Sequence, residues 1–259
     1  MEILHFTLKG QNAFFKKPDV NTYVYYTYGN IHKVALLGML GAVLGYGGYT
    51  EMYGYEKQRK ELQPKESYPE FYEKLRNIKV SILPSKKFSN GVISKKVQAF
   101  NNSVGYASKE AGGNLIVKEQ WLEKPEWEIC ILLDCEEALK IKEKLCNHKC
   151  IYYPYLGKND HPADIVNVKV EEAMQVTKKM ERVSCFVPED LGELSDLDYD
   201  EKEDLDAFET FVYKEALPIA IDGWTNQYIM KKMLYTDGFI TVKDTPVYEL
   251  NDKKRIIFY

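Results

Sequence analysis

Tyr28, His32 and Lys33 lie within six residues of one another, and the segment that carries them suits anion binding. Asn30 can act as an N-cap, its side-chain oxygen accepting a first-turn N–H. The helix start then presents free N–H groups and a partial positive charge, and His32 and Lys33 add donors beside it. On spacing alone, an ordinary buried helix whose His32 is a satisfied surface residue weighs as much as the functional reading.

A second group of candidates lies between residues 84 and 117. Lys86, Lys87, Lys95, Lys96 and Lys109 are interleaved there with Phe100, Asn101, Asn102 and Tyr106, and Glu110 is the one acid. Lysines with interspersed aromatics suit a surface that tracks a nucleic-acid backbone and stacks its bases. Tyr28 and Phe100 are the stacking candidates. Asn101 and Asn102 carry paired donors and acceptors for base edges. An exposed hairpin whose lysines guard its edges would have the same composition.

The charge distribution narrows the partners. A net charge of −4 divides into +7 over residues 1–120 and −11 over residues 121–259. A basic half is compatible with nucleic acid, whose phosphates dominate affinity. Ten carboxylates and a single lysine fill residues 189–206 without EF-hand spacing, which reads as a solvated loop. Five cysteines, an odd number with no secretory leader in view, point to free thiols in the cytoplasm. Cys146, His148 and Cys150 lack the paired knuckles and fourth ligand of a zinc site. No metal and no cofactor is expected.

These candidates need a scaffold. Leu4, Phe6 and Leu8 alternate with His5 and Thr7, the period of a half-buried strand. A glycine-studded apolar helix follows over about 31–46, with Gly38, Gly41 and Gly45 on one side to admit a close neighbour. It is too short to span a membrane, and Gly45-Tyr46-Gly47 at its end is no dinucleotide loop, since no helix is expected to open after it. A short helix at 69–76, a strand at 79–83, a strand at 127–133, a helix at 135–145 and a strand at 165–170 come next. The order strand–helix–strand, excursion, strand–helix–strand is ferredoxin-like. The expected fold class is therefore α+β, a ferredoxin-like domain over 1–170 with a long β-hairpin at 84–117. Residues 171–259 form a smaller β-rich part, with strands at 183–187, 217–221, 230–235, 239–242, 247–250 and 255–259. Asp237-Gly238 and Asn251-Asp252 mark hairpin turns within it.

Five blocks carry a family resemblance: the strand 4–8, the helix block 30–45, and segments 69–75, 127–133 and 155–163. The last reads Tyr155, Leu156, Gly157, Lys158, Asn159, Asp160, His161, Pro162, Ala163. The helix block and the Tyr-Leu-Gly-Lys block, together and in this order, are the specific pair. With them the chain resembles the fifth family of CRISPR-associated proteins, the Cascade subunit that grips the 5′ handle of CRISPR RNA, and most of all its type I-B branch.

The resemblance implies a RAMP-type fold, related to the RNA-recognition motif, with the lysine-rich hairpin as its thumb. It implies RNA contacts from Tyr28, Asn30, His32, Lys33, Lys86, Lys87, Lys95, Lys96, Phe100, Asn101 and Asn102. Gly157 shapes a turn, and Lys158 and His161 touch RNA or a protein neighbour. The implied partners are the RNA handle, the backbone subunit and the large subunit of the complex, with no membrane and no small-molecule substrate. One branch of the family, type I-C, cleaves precursor RNA without metal through a tyrosine, a lysine and a histidine. The branch resembled here leaves that step to a separate ribonuclease, so binding without cleavage is the expectation. The alternatives are an endoribonuclease using Tyr28, His32 and Lys33, or a protein scaffold with little RNA contact.

Overall fold

Both faces of the first strand are apolar, and that decides the architecture. In the structure, a computed structural model describing residues 1–19, 23–59, 66–101, 116–176, 180–195 and 210–259, β1 spans Glu2–Lys9. Leu4, Phe6 and Leu8 point to one side and Ile3 and His5 to the other, and all five are buried. A strand buried on both faces must lie inside a layered structure. The half-buried strand expected from alternation is thus corrected: later strands cover its second face.

Along the chain follow β2 (Asn12–Ala13), α1 (Lys33–Leu44), α2 (Tyr49–Arg59), α3 (Glu70–Leu75) and β3 (Val80–Pro84). After a 3-10 turn at Lys86–Phe88 come β4 (Lys95–Asn101), β5 (Ile116–Glu123), β6 (Glu126–Leu132), α4 (Glu136–Cys146) and β7 (Asp164–Glu172). The main sheet has the order β3-β6-β1-β7 and is antiparallel throughout. Leu4, Phe6, Trp127, Ile129 and Ile131 share one core with Leu36, Leu37 and Leu40 of α1 and Ile141 and Leu145 of α4.

Helix α1 is apolar all round because neighbours enclose it. Its glycines admit α3: a Cβ on Gly41 would stand 2.5 Å from the Phe71 Cβ. The helix starts at Lys33, not near Ile31, because His32 and not Asn30 is its N-cap, Nδ1 accepting from the Ala35 N–H at 3.2 Å. Helix α2 does open just after Gly47, contrary to expectation, but a helix precedes that turn where a dinucleotide loop needs a strand.

The remaining strands are the long pair β12 (Val212–Ile221) and β13 (Tyr228–Thr236) and the short β8 (Met174–Val176), β9 (Met180–Glu181), β10 (Val187–Pro188), β11 (Gly192–Leu194), β14 (Ile240–Val242), β15 (Val247–Glu249) and β16 (Arg255–Ile256). They form three small sheets, β10-β13-β12, β11-β14-β9 and β16-β15-β8. Val183, Cys185, Leu234, Ile240 and Ile256 pack on Ile3, Cys130 and Leu132, closing the far face of the main sheet. A polar node crosses this layer. His5 lies 2.5 Å from Glu171 and 3.2 Å from Glu128, and Lys254 holds Glu128 at 2.6 Å. Burial disfavours the Glu128 carboxylate, but hydrogen bonds from His5 and Lys254 outweigh it and hold the group down to about 2.

Asn251-Asp252 does join the antiparallel pair β15–β16. Asp237-Gly238 does not make a hairpin: β13 pairs with β12 and β10, whereas β14 pairs with β11 and β9. In the acidic stretch, Glu189, Asp190 and Glu193 are solvent-exposed and form surface ion pairs with Lys232, Lys231 and Lys243. Residues 196–206 lie outside the described residues. The architecture is a mixed α/β fold of mostly antiparallel sheets with few helices. No helix among the described residues is long and apolar enough to cross a membrane.

Candidate nucleic-acid interface

The turn before α1 is built from interior hydrogen bonds. Thr27 Oγ1 accepts from the Phe15 N–H at 3.0 Å and donates to the Tyr28 carbonyl at 2.9 Å. Asn30 is buried and its amide is spent: Nδ2 donates to Gly91 O at 2.9 Å and to the Tyr213 hydroxyl at 3.1 Å, and Oδ1 accepts from Trp127 Nε1 at 2.9 Å. The helix-capping role expected of Asn30 is therefore corrected to an internal brace.

His32 sits in an aromatic cage, edge-on to Phe15 (5.9 Å), Tyr28 (5.2 Å) and Tyr228 (5.4 Å). Burial pushes its pKa down to about 3, so the ring is neutral at physiological pH. Lys33 Nζ donates to Tyr259 O at 2.9 Å. Burial, aided by the nearby Lys231 charge, lowers its pKa to about 8. Tyr28 is also buried, its hydroxyl 3.7 Å from Met230 Sδ and its pKa pushed up to about 12, mainly by desolvation. The open, amide-rich helix tip anticipated from sequence is thus covered. The β12–β13 hairpin and Tyr259 occupy the space an anion would need.

The thumb position is different. Strands β4 and β5 form a hairpin there, with β2 beside β5. Directly opposed residues share a face, so Lys96 stands with Trp121 and Phe100 with Val117. Onto this face the 155–163 segment brings Lys158, whose Nζ is 5.0 Å from the Phe100 ring, 5.5 Å from Trp121 and 5.9 Å from Phe14. Lys96 Nζ lies 5.9 Å from Trp121. These are cation–π distances. Glu119 anchors the group, bonding Lys158 Nζ at 2.9 Å and Trp121 Nε1 at 2.7 Å. His161 lies edge-on to Trp121 at 4.5 Å with both ring nitrogens buried and unpartnered. Gly157 makes the turn possible: its φ is +85°, and a Cβ would meet the Phe14 carbonyl oxygen at 1.9 Å.

Lys95 points to the other face, where Lys17 and Glu215 are its electrostatic neighbours and burial lowers its pKa. Lys86 and Lys87 are exposed on the 3-10 turn, and Lys87 Nζ donates to Lys124 O at 3.0 Å. Asn101 ends β4, while Asn102, Tyr106, Lys109 and Glu110 lie outside the described residues. The structure therefore puts Lys96 and Phe100 on one face of the β4–β5 pair, whereas Tyr28, Asn30 and His32 are buried and Lys33 is tied to Tyr259. Trp121 was missed from sequence; its alternation with Leu122 in a lysine-bearing hairpin was the available signal. A groove of about 910 Å³ is lined by Lys16, Lys17, Tyr28, Tyr49, Asn226 and Tyr228 among others. Among the described residues no group of three or more His, Cys, Asp or Glu side chains is placed to hold a metal ion.

No protein-family model and no curated protein matches the chain. Solved structures do. A chain of a CRISPR RNA-guided surveillance complex superposes with a TM-score of 0.50 at 12% identity, over 91% of this chain and 90% of that one. A CRISPR protein from Archaeoglobus fulgidus matches at a TM-score of 0.46 and 14% identity, covering 99% of both chains. A chain of the Type III-B Cmr-beta complex bound to cognate target RNA and AMPPnP matches at 0.46 and 11% identity, over 93% and 86%. The overall fold is thus one that this chain shares with a subunit of a CRISPR RNA-guided surveillance complex.

Proposed function

We propose that the chain is an RNA-binding structural subunit of a type I CRISPR surveillance complex, of the fifth CRISPR-associated family. It holds the 5′ handle of the guide RNA in antiviral defence. The single observation that carries this reading is the thumb face, where Lys158 and Lys96 stand over Phe100 and Trp121. Single-stranded RNA is gripped by cations along its backbone and by aromatic faces that stack splayed bases. A face presenting both, on the antiparallel pair β4–β5, fits that ligand.

The sheet order supports a ferredoxin-like, RAMP-type reading of residues 1–170. Its central pair, β1 and β6, is flanked by β3 and β7, with α1 and α4 on one face. Residues 171–259 are then the smaller β-rich part. Likeness in fold to a subunit of an RNA-guided complex is in keeping with this. For protein neighbours, the backbone and large subunits, the exposed Ile151, Tyr152, Tyr153 and Tyr155 offer an aromatic surface of the kind interfaces favour. Such a complex works in the cytoplasm. Binding is favoured over cleavage because His32, the base a nuclease would need, is buried among three rings, and a pKa lowered by burial to about 3 makes it a poor proton acceptor.

The test is incubation of the purified chain with labelled repeat RNA in EDTA. Retardation without cleavage, weakening steeply with salt, is expected. Cleavage products that vanish in His32→Ala would replace this reading by the endoribonuclease. Retardation indifferent to salt and to Lys96→Ala would replace it by a protein scaffold.

A further inference from the structure

The groove beside the turn before α1 has no role in the thumb's grip. Its walls come from three separate parts of the chain. Lys16, Lys17 and Asp19 follow β2, Tyr28 and Tyr49 flank α1, and Asn226, Gln227, Tyr228 and Met230 come from the β12–β13 turn. At about 910 Å³ it lies in the range of small-ligand pockets. Three features constrain what fits.

The first is aromatic. Tyr28, Tyr49 and Tyr228 line the groove together, and Tyr28 and Tyr228 both stand edge-on to the His32 ring, at 5.2 and 5.4 Å. The second is an idle acceptor. Asn226 Oδ1 is buried without a hydrogen-bond partner, and the residue is held in left-handed backbone (φ 56°) with its N–H bonded to Asp222 O at 2.8 Å. The Asp222 carboxylate fastens this turn further through the Trp224 and Thr225 N–H groups, so Asn226 is fixed in place. The third is the placement of charge. Lys16 is exposed at the mouth, its Nζ 4.0 Å over the Tyr25 ring, and Lys17 Nζ is 5.3 Å over Tyr28 and 3.9 Å from Glu215. Asp19 shares the wall with them.

An anion deep in this groove would meet Asp19 and three phenols. A neutral aromatic heterocycle with an amino group would meet ring faces, a carboxamide acceptor and a carboxylate, each suited to it. The cations lie where an attached phosphate would emerge. The geometry points to a nucleotide pocket in which one unstacked base of single-stranded RNA enters between Tyr28, Tyr49 and Tyr228. Asn226 and Gln227 meet its edge, and Lys16 and Lys17 hold its phosphate. This rests on the reading of the chain as an RNA-binding subunit and adds to it a single-base reader apart from the thumb. Side-chain amides suit base edges because they offer a donor and an acceptor together.

The experiment is a scan of single abasic substitutions along a labelled handle RNA, bound to the full chain in EDTA. One position is expected to weaken binding by about tenfold, the scale of one base–aromatic stack. In Asn226→Gly, which the left-handed backbone tolerates, and in Gln227→Ala, that position's penalty is expected to shrink to less than about threefold while other positions keep theirs. A flat scan, or a penalty unchanged in both variants, overturns the pocket and leaves the thumb reading standing. A chain that fails to retard the unmodified RNA overturns both.

Discussion

Replacing Asn30 by alanine separates a structural brace from an RNA contact. The amide satisfies Trp127 Nε1, whose residue is fully buried, and the carbonyl of Gly91, also buried. The Tyr213 hydroxyl keeps its bond to Glu215 Oε2 at 2.7 Å and is not orphaned. Leaving a buried polar group unmade costs roughly 1–3 kcal/mol, so two such groups cost roughly 2–6 kcal/mol. Against a typical total of about 5–15 kcal/mol, that is a large fraction. Urea unfolding reads it as a lower midpoint with an unchanged slope. The folded variant is expected to bind handle RNA within about twofold of the parent, since the side chain touches no surface. A midpoint shifted by less than about 0.5 kcal/mol, or a tenfold loss of RNA affinity at unchanged stability, would refute the assignment.

Other consequences follow from the same geometry. His32 has its pKa lowered on folding from 6.5 to about 3, so its contribution is complete above pH 6.5 and is lost as pH falls toward 3. The loss is about 1.4 kcal/mol per pH unit, and His32→Asn, which preserves a cap, is expected to flatten the acid limb of urea midpoints by about that slope. Gly41→Ala brings a methyl within 2.5 Å of the Phe71 Cβ, so it is expected to destabilise by about 1–3 kcal/mol despite its better helix propensity. Combining it with Phe71→Gly, which removes that Cβ, is expected to give a change well short of additive by thermal unfolding. Lys96→Ala with Lys158→Gln is expected to reduce the slope of log affinity against log salt by about 1.4, from about 0.7 per lost phosphate contact on a single strand. An unchanged slope in filter binding would move the RNA elsewhere.

Much of the scaffold is legible locally. The strands at β1, β3, β6 and β7 and helix α4 show themselves through periodic apolar residues, and Pro69 marks the start of α3. Helix α2 escapes such a reading because Tyr49–Arg59 carries polar and aromatic residues without an apolar stripe. The failures at the site are non-local. Asn30 and His32 read as an exposed tip because the hairpin that covers them, β12–β13, lies about 190 residues further on. Asp237-Gly238 has the composition of a hairpin turn, yet β13 already has partners on both edges, so the chain leaves for another sheet. Lys96 and Phe100 share a face by strand alternation alone, which the sequence shows. Lys158 and Trp121 join them through tertiary contact, which composition does not show.

Whether the thumb face is where RNA lies can be read most directly by photo-crosslinking. A handle RNA carrying 4-thiouridine at single positions, irradiated on the purified chain and mapped by peptide mass, is predicted to join peptides from β4, β5 and the Lys158 segment. Crosslinks confined to the 151–155 aromatic segment or to the outer edge of β7, with none on the hairpin, would contradict it.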